Sequence, residues 1–334
     1  MIKYLFLILV TLLSGCTADF SGSCESEESV YIRFSSYVDV KADVEEASYA
    51  HRQVTRSDNY VTEQAVGILG IAAHEDMMDE ITLVGRDATS LRKWMQNDVY
   101  HRNPMNGAVA RADGQCPTFP IEKGSAVVAY AYMPYTDSIV YGDEDCYIPL
   151  DLVADSASTD WTYSGSSTMS KSAYHETGVF VLDSFKHVMT CLEVIVDTPK
   201  FDEMYDTLVR ILEISLGVRG NGKGRLSLTD GMVTMADAEN PDSIYRLQRK
   251  PGYRFSIYEQ VKSRTETFYL MPYTEIHDLR VVALWNEADT IRYEYVIADS
   301  AKWNTANLRP GVVSRLKLKS IKNNDLLNNE EKHL

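Results

Sequence analysis

Short stretches that alternate apolar and polar residues, separated by turn-forming residues, recur along this chain of 334 residues. In the first, residues 30–35, the side chains of Val30, Ile32 and Phe34 fall on one face of an extended strand. Another, residues 125–132, is apolar throughout, which is typical of a strand that is buried on both faces. The sequence contains no heptad repeat that would favour long helices. We therefore expect an all-β fold built from β-sandwiches.

The strand signals form two groups, separated at residues 155–178 by a stretch rich in Ser, Thr, Gly and Tyr. That composition predicts a long connection between two halves. The folded part should then divide into an N-terminal domain, residues 30–178, and a C-terminal domain, residues 179–320. Strands are predicted at residues 30–35, 66–71, 91–101 and 125–132 of the first half, and at residues 179–182, 191–196, 226–228, 244–247, 254–258, 268–272, 279–285, 291–297 and 312–318 of the second.

Two segments of the second half need separate interpretation. Residues 200–216 fit either a strand over residues 208–216 or a short amphipathic helix near residues 201–212. Residues 220–224 are rich in glycine, but a strand-like stretch follows them, so they offer no helix N-terminus to an anion. We predict a hairpin turn there.

The N-terminal residues predict an export signal. An apolar run, residues 4–13, follows Lys3 and ends two small residues before Cys16, which is typical of a secretory signal peptide. The run is too short to cross a bilayer as a helix, which takes about 20 residues. Its Leu-Ser-Gly-Cys ending resembles a bacterial lipobox, which implies removal of residues 1–15 and acylation of Cys16. The alternative is an ordinary signal peptide in which Cys16 is incidental.

Residues 16–29 are polar and acidic, with little apolar surface to bury. They predict a tether that holds the folded part away from the bilayer. Acidic residues directly after an acylated cysteine also resemble a surface-export signal of some Gram-negative lipoproteins. A solvated linker is the simpler interpretation, and the two are compatible.

The charge balance limits the partners. The chain has 48 acidic and 33 basic residues, a formal net charge of -15, so its surface repels nucleic acid and anionic membrane. Four cysteines remain besides Cys16, namely Cys24, Cys116, Cys146 and Cys191. An exported protein can form disulfides, but their pairing cannot be deduced from sequence, and buried thiols remain open as an alternative. Their wide spacing argues against a metal cluster.

No catalytic motif stands out. The sequence lacks a His-Glu-x-x-His helix, a Gly-x-Ser-x-Gly elbow and a phosphate-binding loop. The run His74-Glu75-Asp76 lies in a predicted acidic loop, where solvated charges are a better interpretation than metal ligands. We interpret His187 as a structural histidine rather than a base. The expectation is a protein that is not an enzyme and needs no cofactor or metal.

Two aromatic stretches point to a family. One is Val127-Val128-Ala129-Tyr130-Ala131-Tyr132-Met133-Pro134-Tyr135, which residues 268–273 echo in outline, and the other is Phe185-Lys186-His187-Val188-Met189-Thr190-Cys191-Leu192-Glu193-Val194. Together with the lipobox, the early strand, Val54-Thr55-Arg56-Ser57 and Asp160-Trp161-Thr162-Tyr163, in this order, they resemble the fimbrillin superfamily of Bacteroides-type fimbriae. That superfamily includes shaft, tip and anchor subunits. The resemblance covers most of residues 30–320 at the level of pattern.

The resemblance implies two tandem transthyretin-like β-sandwich domains after a lipoprotein signal peptide and a tether. It also implies a structural role in fimbriae and adhesion, with the chain on the cell surface and held in the outer membrane by lipid on Cys16. The implied partners are other fimbrial subunits, joined by strand exchange, and a host or bacterial surface receptor.

The resemblance also implies a processing site. In polymerising subunits of the superfamily a trypsin-like protease cuts after an arginine behind the first strand, and Arg56 matches that position. The cut would remove the strand that carries Val30, Ile32 and Phe34 and expose a groove that accepts a neighbour's strand. Arg52 is an equal protease target, and Arg56 is also interpretable as an ordinary exposed arginine of a polar loop.

The C-terminus departs from the family pattern. Residues 321–334 are polar and lack the alternation of a donor strand, so we expect a frayed tail. A chain that keeps its lipid and cannot donate a strand onward suits an anchor or accessory subunit better than a major shaft subunit.

Two other functions compete with this hypothesis. A glycan-binding lipoprotein of a nutrient-uptake system could stack sugars on Trp94, Trp161 or Trp303, although tryptophans of β-sandwiches usually belong to the core. A secreted hydrolase would need convergent acids or a nucleophile with its base, an arrangement in space that a single sequence does not reveal.

Overall fold

The computed structural model describes residues 30–36, 64–80, 83, 95–120, 124–142, 145–155, 157–198, 208–236, 243–256, 258, 261–285, 289–296 and 308–318. These residues are almost entirely strands and turns, which confirms the predicted all-β class. The expectations about the signal peptide, the tether, residues 39–63 and the tail lie outside the described residues.

The strands, in chain order, are β1 (Phe34–Ser35), β2 (Gln64–His74), β3 (Met95–Arg102), β4 (Ala108–Arg111), β5 (Ser125–Met133), β6 (Val140–Tyr141), β7 (Cys146–Asp151), β8 (Thr162–Ser170), β9 (Phe180–Val181), β10 (Lys186–His187), β11 (Thr190–Asp197), β12 (Leu208–Arg219), β13 (Lys223–Ser227), β14 (Val233–Met235), β15 (Ile244–Arg249), β16 (Arg254–Ser256), β17 (Ser263–Leu270), β18 (Ile276–Trp285), β19 (Asp289–Val296) and β20 (Val313–Leu318). A 3-10 helix, Glu75–Glu80, follows β2, and the α-helix α1, Lys171–Thr177, follows β8.

An eight-stranded sheet, in the order β10-β8-β5-β2-β3-β4-β1-β9, contains the first strand of the chain. Its strand β5 is buried at every residue, as its uninterrupted apolar sequence predicts. Val127, Ala129 and Ala131 face a core shared with β1, whereas Val128 and Tyr130 face a second core. The sheet is therefore covered on both faces at this strand.

The two halves of the chain share a sheet. The four-stranded sheet has the order β14-β13-β7-β6, so β7 of the first half pairs antiparallel with β13 of the second. Ile148 and Leu150 of β7 and Leu226 of β13 belong to the same buried cluster as Tyr130. The division into two domains at residues 178 and 179 stays a prediction. In this sheet, strands from the two sides of that boundary are paired.

Two further sheets complete the second half. Strand β11 lies between β17 and β20, antiparallel to the former and parallel to the latter. A five-stranded sheet places β12 between β15 and β18, with β19 beyond β18 and β16 also paired with β12. Alternating side chains such as Leu192 and Val194 of β11 and Ile214 and Leu216 of β12 are fully buried, so the alternation read from the sequence reports the core correctly.

The predicted long connection at residues 155–178 is wrong. It contains β8, which lies between β5 and β10, and helix α1. The Ser- and Gly-rich composition is disfavoured in strands, but small side chains such as Ser164 and Ser167 fill tight buried positions. The Ser167 hydroxyl also accepts a hydrogen bond of 2.8 Å from the Asp183 backbone N–H.

The predicted hairpin turn at residues 220–224 is also wrong. Strand β12 continues to Arg219, and β13 begins at Lys223, but these two strands belong to different sheets. The glycines therefore carry the chain from one sheet to another. Residues 208–216 are strand, so the strand alternative for that segment is confirmed.

Candidate functional site

The first segment of the folded part, residues 30–36, lies inside the eight-stranded sheet rather than beside it. Its side chains alternate as predicted: Ile32, Phe34 and Ser36 are 2%, 3% and 0% exposed, whereas Arg33 is exposed. We call residues 30–36 the inserted segment. We call the gap between β4 and β9 that it fills, with the core side chains beneath, the groove.

Backbone pairing holds the inserted segment on both sides. Its strand β1 is antiparallel to β4, with Phe34 opposite Val109, and parallel to β9, with Phe34 opposite Phe180. The Phe180 N–H donates to the Arg33 carbonyl at 2.7 Å. Removal of the segment would leave these groups of β4 and β9 without their partners.

Residues before β1 continue the pairing with a different part of the chain. The N–H of Ile32 donates to the carbonyl of Pro117 at 2.7 Å, and the N–H of Phe119 donates to the carbonyl of Val30 at 2.8 Å. An isolated antiparallel bridge joins Tyr31 and Thr118. The predicted strand over residues 30–35 is thus extended and paired along its length.

Aromatic side chains line the groove. The ring of Phe34 packs edge-on against Tyr100, with 5.8 Å between centroids, and against Phe180 at 5.1 Å. Val30 packs at the margin of the same core, which also contains Ile32. The structure therefore brings together Val30, Ile32 and Phe34, the three residues predicted from the alternation, in one buried contact with the body.

Helix α1 contributes one polar contact. The backbone N–H of Arg33 donates to the Tyr174 hydroxyl at 3.0 Å, and the Tyr174 ring packs on Phe119 with centroids 5.1 Å apart. Burial raises the pKa of Tyr174 and, strongly, that of Tyr100, so both hydroxyls stay neutral at physiological pH.

The C-terminal end of the inserted segment meets a buried arginine. Nε of Arg102, on β3, donates to Oγ of Ser36 at 3.1 Å, and Arg102 is only 6% exposed. The Ser36 N–H donates to the Gly107 carbonyl at 2.9 Å. A Cβ at Gly107 would stand 2.3 Å from the Ser36 carbonyl oxygen, so the two backbones approach each other too closely for a side chain there.

Sequence reasoning missed four residues of this site: Ser36, Arg102, Tyr174 and Phe180. Ser36 was detectable, because it continues the alternation two residues beyond Phe34. The others come from distant strands and a helix, and nothing in their local sequence marks them. Cys16, Arg52 and Arg56 lie outside the described residues.

The histidines singled out from the sequence, His74 and His187, lie in strands β2 and β10. His74 ends β2, and Glu75 and Asp76 begin the 3-10 helix rather than a loop, which corrects the prediction. Nδ1 of His187 lies 2.9 Å from Oδ2 of Asp160, a contact that fits a structural role. Across the described ranges, no group of three or more His, Cys, Asp or Glu side chains is placed to hold a metal ion.

The tryptophans and cysteines can be described in part. Trp161 is partly buried and packs on Tyr132, with 6.3 Å between ring centroids. Trp94, Trp303 and Cys24 lie outside the described residues. Cys146 and Cys191 are buried, and Cys116 is partly buried. In the part of the chain that the structure describes, no helix is long and apolar enough to span a membrane.

Comparison of the sequence with protein-family models and with curated proteins gives no match. Comparison of the structure with solved structures gives matches. A candidate cell adhesion protein from Bacteroides uniformis is 12% identical, with 88% of this chain and 94% of that chain covered and a TM-score of 0.52. A candidate cell adhesion protein from Bacteroides ovatus is 14% identical, with 86% and 90% covered and a TM-score of 0.48.

The fimbrial anchor protein Mfa2 from Porphyromonas gingivalis is 14% identical, with 86% of this chain and 89% of that chain covered and a TM-score of 0.31. Of these three, only the Bacteroides uniformis protein exceeds a TM-score of 0.5, so only that comparison carries weight. At 12% identity, it shows that the two chains share a fold over most of their lengths.

Proposed function

We propose that this chain is a structural subunit of cell-surface fimbriae. Lipid on Cys16 would hold it in the outer membrane, where it acts as an anchor or accessory subunit in assembly and adhesion. The observation that carries the proposal is that the inserted segment lies between β4 and β9 and pairs with both. The fold shared with a candidate cell adhesion protein and the lipobox-like N-terminus support it.

The geometry suits strand exchange between subunits. If the inserted segment leaves, the backbone groups of β4 and β9 lose their hydrogen bonds, and the apolar pocket of Ile32 and Phe34 meets water. An extended segment of another chain restores both kinds of contact at once, which is the physical basis of β-strand addition. Once the inserted segment has been displaced, the groove is therefore the proposed contact site for another fimbrial subunit.

The chain between residues 36 and 64 contains both candidate processing sites, Arg52 and Arg56. A cut after either one separates the inserted segment and Cys16 from the rest of the chain. In our proposal an anchor or accessory subunit stays uncut and keeps its lipid, whereas a cut chain becomes a polymerising subunit. The two tandem transthyretin-like domains are also part of this proposal.

Mass spectrometry of the N-terminus of the native protein, purified from the bacterial envelope, tests the anchor. We expect an acylated Cys16 as the first residue. A chain that begins at Ser57 would instead favour a polymerising subunit. A chain that begins at another position within residues 1–29 and carries no lipid would contradict lipid anchoring. The Cys16→Ser variant should move from the detergent phase to the aqueous phase in phase partitioning, because several acyl chains anchor a protein stably. Cys24→Ser is the matched control and should remain in the detergent phase.

Immunogold labelling tests the place in the fimbrium. An anchor should be labelled at the cell surface, at the base of the fimbriae. Label distributed along the shaft, on chains that lack Cys16, would contradict the anchor role but keep the fimbrial one. Glycan binding has less support, because Trp161 packs on Tyr132 instead of standing free.

A further inference from the structure

We propose that the groove selects the strand it accepts by a three-position pattern: two apolar side chains, at the places of Ile32 and Phe34, and a serine or threonine at the place of Ser36. The inference rests on the proposed function, because it names the kind of partner segment that the groove fits. It assigns Arg102 as the residue that sets the register of that segment.

The contact between Arg102 and Ser36 is enclosed. Ser36 is 0% exposed and Arg102 is 6% exposed, and Nε of Arg102 donates to Oγ of Ser36 at 3.1 Å. A buried N–H group that loses its acceptor costs free energy, because its desolvation is no longer offset by a hydrogen bond. An apolar side chain at the Ser36 position would therefore fill the space and leave the guanidinium Nε without that oxygen.

This contact distinguishes between registers that apolar packing tolerates. Side chains of a strand alternate with a period of two, so a slip of two residues keeps the apolar face towards the core. Such a slip places Phe34 or Val38 at the Ser36 position, and neither side chain carries an oxygen for Arg102. Hydrophobic burial alone therefore does not distinguish these registers, whereas the hydrogen bond to the buried Arg102 does.

The backbone of the inserted segment lies close to the body at Ser36. The Ser36 N–H donates to the Gly107 carbonyl, and the Ser36 carbonyl oxygen lies 2.3 Å from the position that a Cβ of Gly107 would take. Any residue can make these main-chain contacts, so the hydroxyl contact with Arg102 is what distinguishes the residue at this position. The partner we infer is therefore an extended segment of sequence apolar-x-apolar-x-Ser or Thr.

The test uses the full chain with a site-specific protease sequence introduced at Arg56. The purified protein is cut in solution, and a fluorescent peptide of residues 28–38 is offered for exchange with the inserted segment. Two further peptides carry Ser36→Thr and Ser36→Val. Threonine and valine have the same shape and differ only in the hydroxyl, so this pair isolates the hydrogen bond to Arg102.

We expect the Thr peptide to bind within about 3-fold of the natural peptide and the Val peptide to bind about 10- to 100-fold more weakly. On a body that carries Arg102→Met, the difference between Thr and Val should disappear. Equal binding of the Thr and Val peptides to the natural body would overturn the inference and leave strand acceptance intact.

A body that binds no peptide, the natural one included, would contradict the proposed strand acceptance. In that case the uncut chain decides the role of Arg102. Ser36→Val should lower its unfolding midpoint more than Ser36→Thr does, and combining Ser36→Val with Arg102→Met should be non-additive. Equal effects of Val and Thr, or additive effects of the pair, would overturn the role of Arg102 in either setting.

Discussion

At the scale of single residues, Asp278 illustrates how this fold keeps a charge away from water. Its side chain is 3% exposed and bonds to Arg246 with Nη1–Oδ1 and Nη2–Oδ2 distances of 2.6 and 2.8 Å. Gly217 lies between them in the sheet, opposite Arg246 on one side and Asp278 on the other. A Cβ at Gly217 would stand 2.5 Å from Oδ2 of Asp278. The glycine therefore provides the room in which the ion pair forms.

Asp278→Asn tests this ion pair through its pH dependence. Burial acts to raise the pKa of Asp278, but hydrogen bonds from Arg246 and His277 and the charges of Arg246 and Arg280 outweigh it and hold the pKa below its usual value. A carboxyl with a depressed pKa in the folded state stabilises the fold above its unfolded pKa of about 4, and this contribution disappears as pH falls through the folded pKa.

At pH 7 we expect Asp278→Asn to lower the free energy of unfolding by about 3 kcal/mol, because it breaks a largely buried pair. The difference from the natural chain should shrink as the pH falls from about 5 to about 2. Urea unfolding at a series of pH values measures it. Asp76→Asn, whose side chain is 86% exposed, is the control and should change stability by less than about 0.5 kcal/mol throughout. A difference independent of pH would contradict the ionic role.

Phe34 should dominate the packing of the inserted segment. Phe34→Ala removes a ring that contacts Tyr100 and Phe180, so we expect a loss of about 3–5 kcal/mol in the free energy of unfolding. Arg33→Ala is the matched control: its side chain is exposed and the bond of its backbone N–H to Tyr174 is retained, so the loss should stay below about 0.5 kcal/mol. Equal effects of the two variants in denaturant unfolding would show that the segment is not held by its buried face.

At the scale of elements, the short helix α1 is important because it carries Tyr174 to the inserted segment. Its N-cap is Ser170, whose hydroxyl accepts from the Ala173 N–H at 3.1 Å, and its C-cap is Gly178 in the left-handed conformation. Both caps follow the common pattern for helix ends. A helix of seven residues depends strongly on such ends, since a short helix is only marginally stable by itself.

Ser170→Ala should therefore lower the free energy of unfolding by about 1 kcal/mol, because the first turn loses its cap. Ser170→Asn keeps an acceptor at the same place without adding a negative charge beside Glu75, and it should remain close to the natural stability. Thermal or urea unfolding separates the two. If Asn destabilises the chain as much as Ala, the hydroxyl has a role other than capping.

The strands show which elements the sequence could predict and which it could not. Strands with clear alternation or apolar runs, such as residues 30–35 and 125–132, were placed correctly because their patterns report burial directly. Strand β8 was missed because its serines and glycine are disfavoured by local propensity and are selected by tight packing between β5 and β10. The predicted strand over residues 208–216 stops before Gly217, whereas the structure places this glycine within β12, where it leaves room for an ion pair of distant residues.

The residues of the groove and the inserted segment also fall into predictable and unpredictable ones. The apolar face of the inserted segment follows from its own sequence, so Val30, Ile32 and Phe34 were predictable. Its partner Arg102 was not, because a buried arginine is identified by what surrounds it after folding. The alternating and apolar stretches predicted the fold class, but no pattern in the chain indicated that β9, far along the sequence, would form the outer side of the groove.

At the scale of the whole molecule, the two halves depend on each other. Strand β7 of the first half pairs with β13 of the second, and β1 pairs with β9. All four sheets contribute side chains to one continuous buried cluster. The core beneath the groove is a separate cluster. The boundary at residues 178 and 179 therefore separates segments that share a core.

A fragment of residues 30–178 tests this dependence. It lacks β13 and β9, so Ile148 and Leu150 lose part of their cover and the inserted segment loses its outer neighbour. We expect the fragment to bind a hydrophobic dye and to unfold without a cooperative transition, whereas the full chain unfolds cooperatively. Addition of a fragment of residues 179–320 should restore the transition. A fragment that unfolds cooperatively by itself would establish residues 30–178 as an independent domain.

The direction of β1 determines how the molecule bears tension. If lipid on Cys16 held a subunit whose inserted segment stays in the groove, a pull on the body would enter the folded part at Val30 and run along the strand. Because β4 and β9 pair with that strand on both sides, the pull would shear their hydrogen bonds together instead of opening them one after another. Such loading would resist rupture better than peeling, so in that state the segment would also serve as the mechanical joint between the lipid and the body.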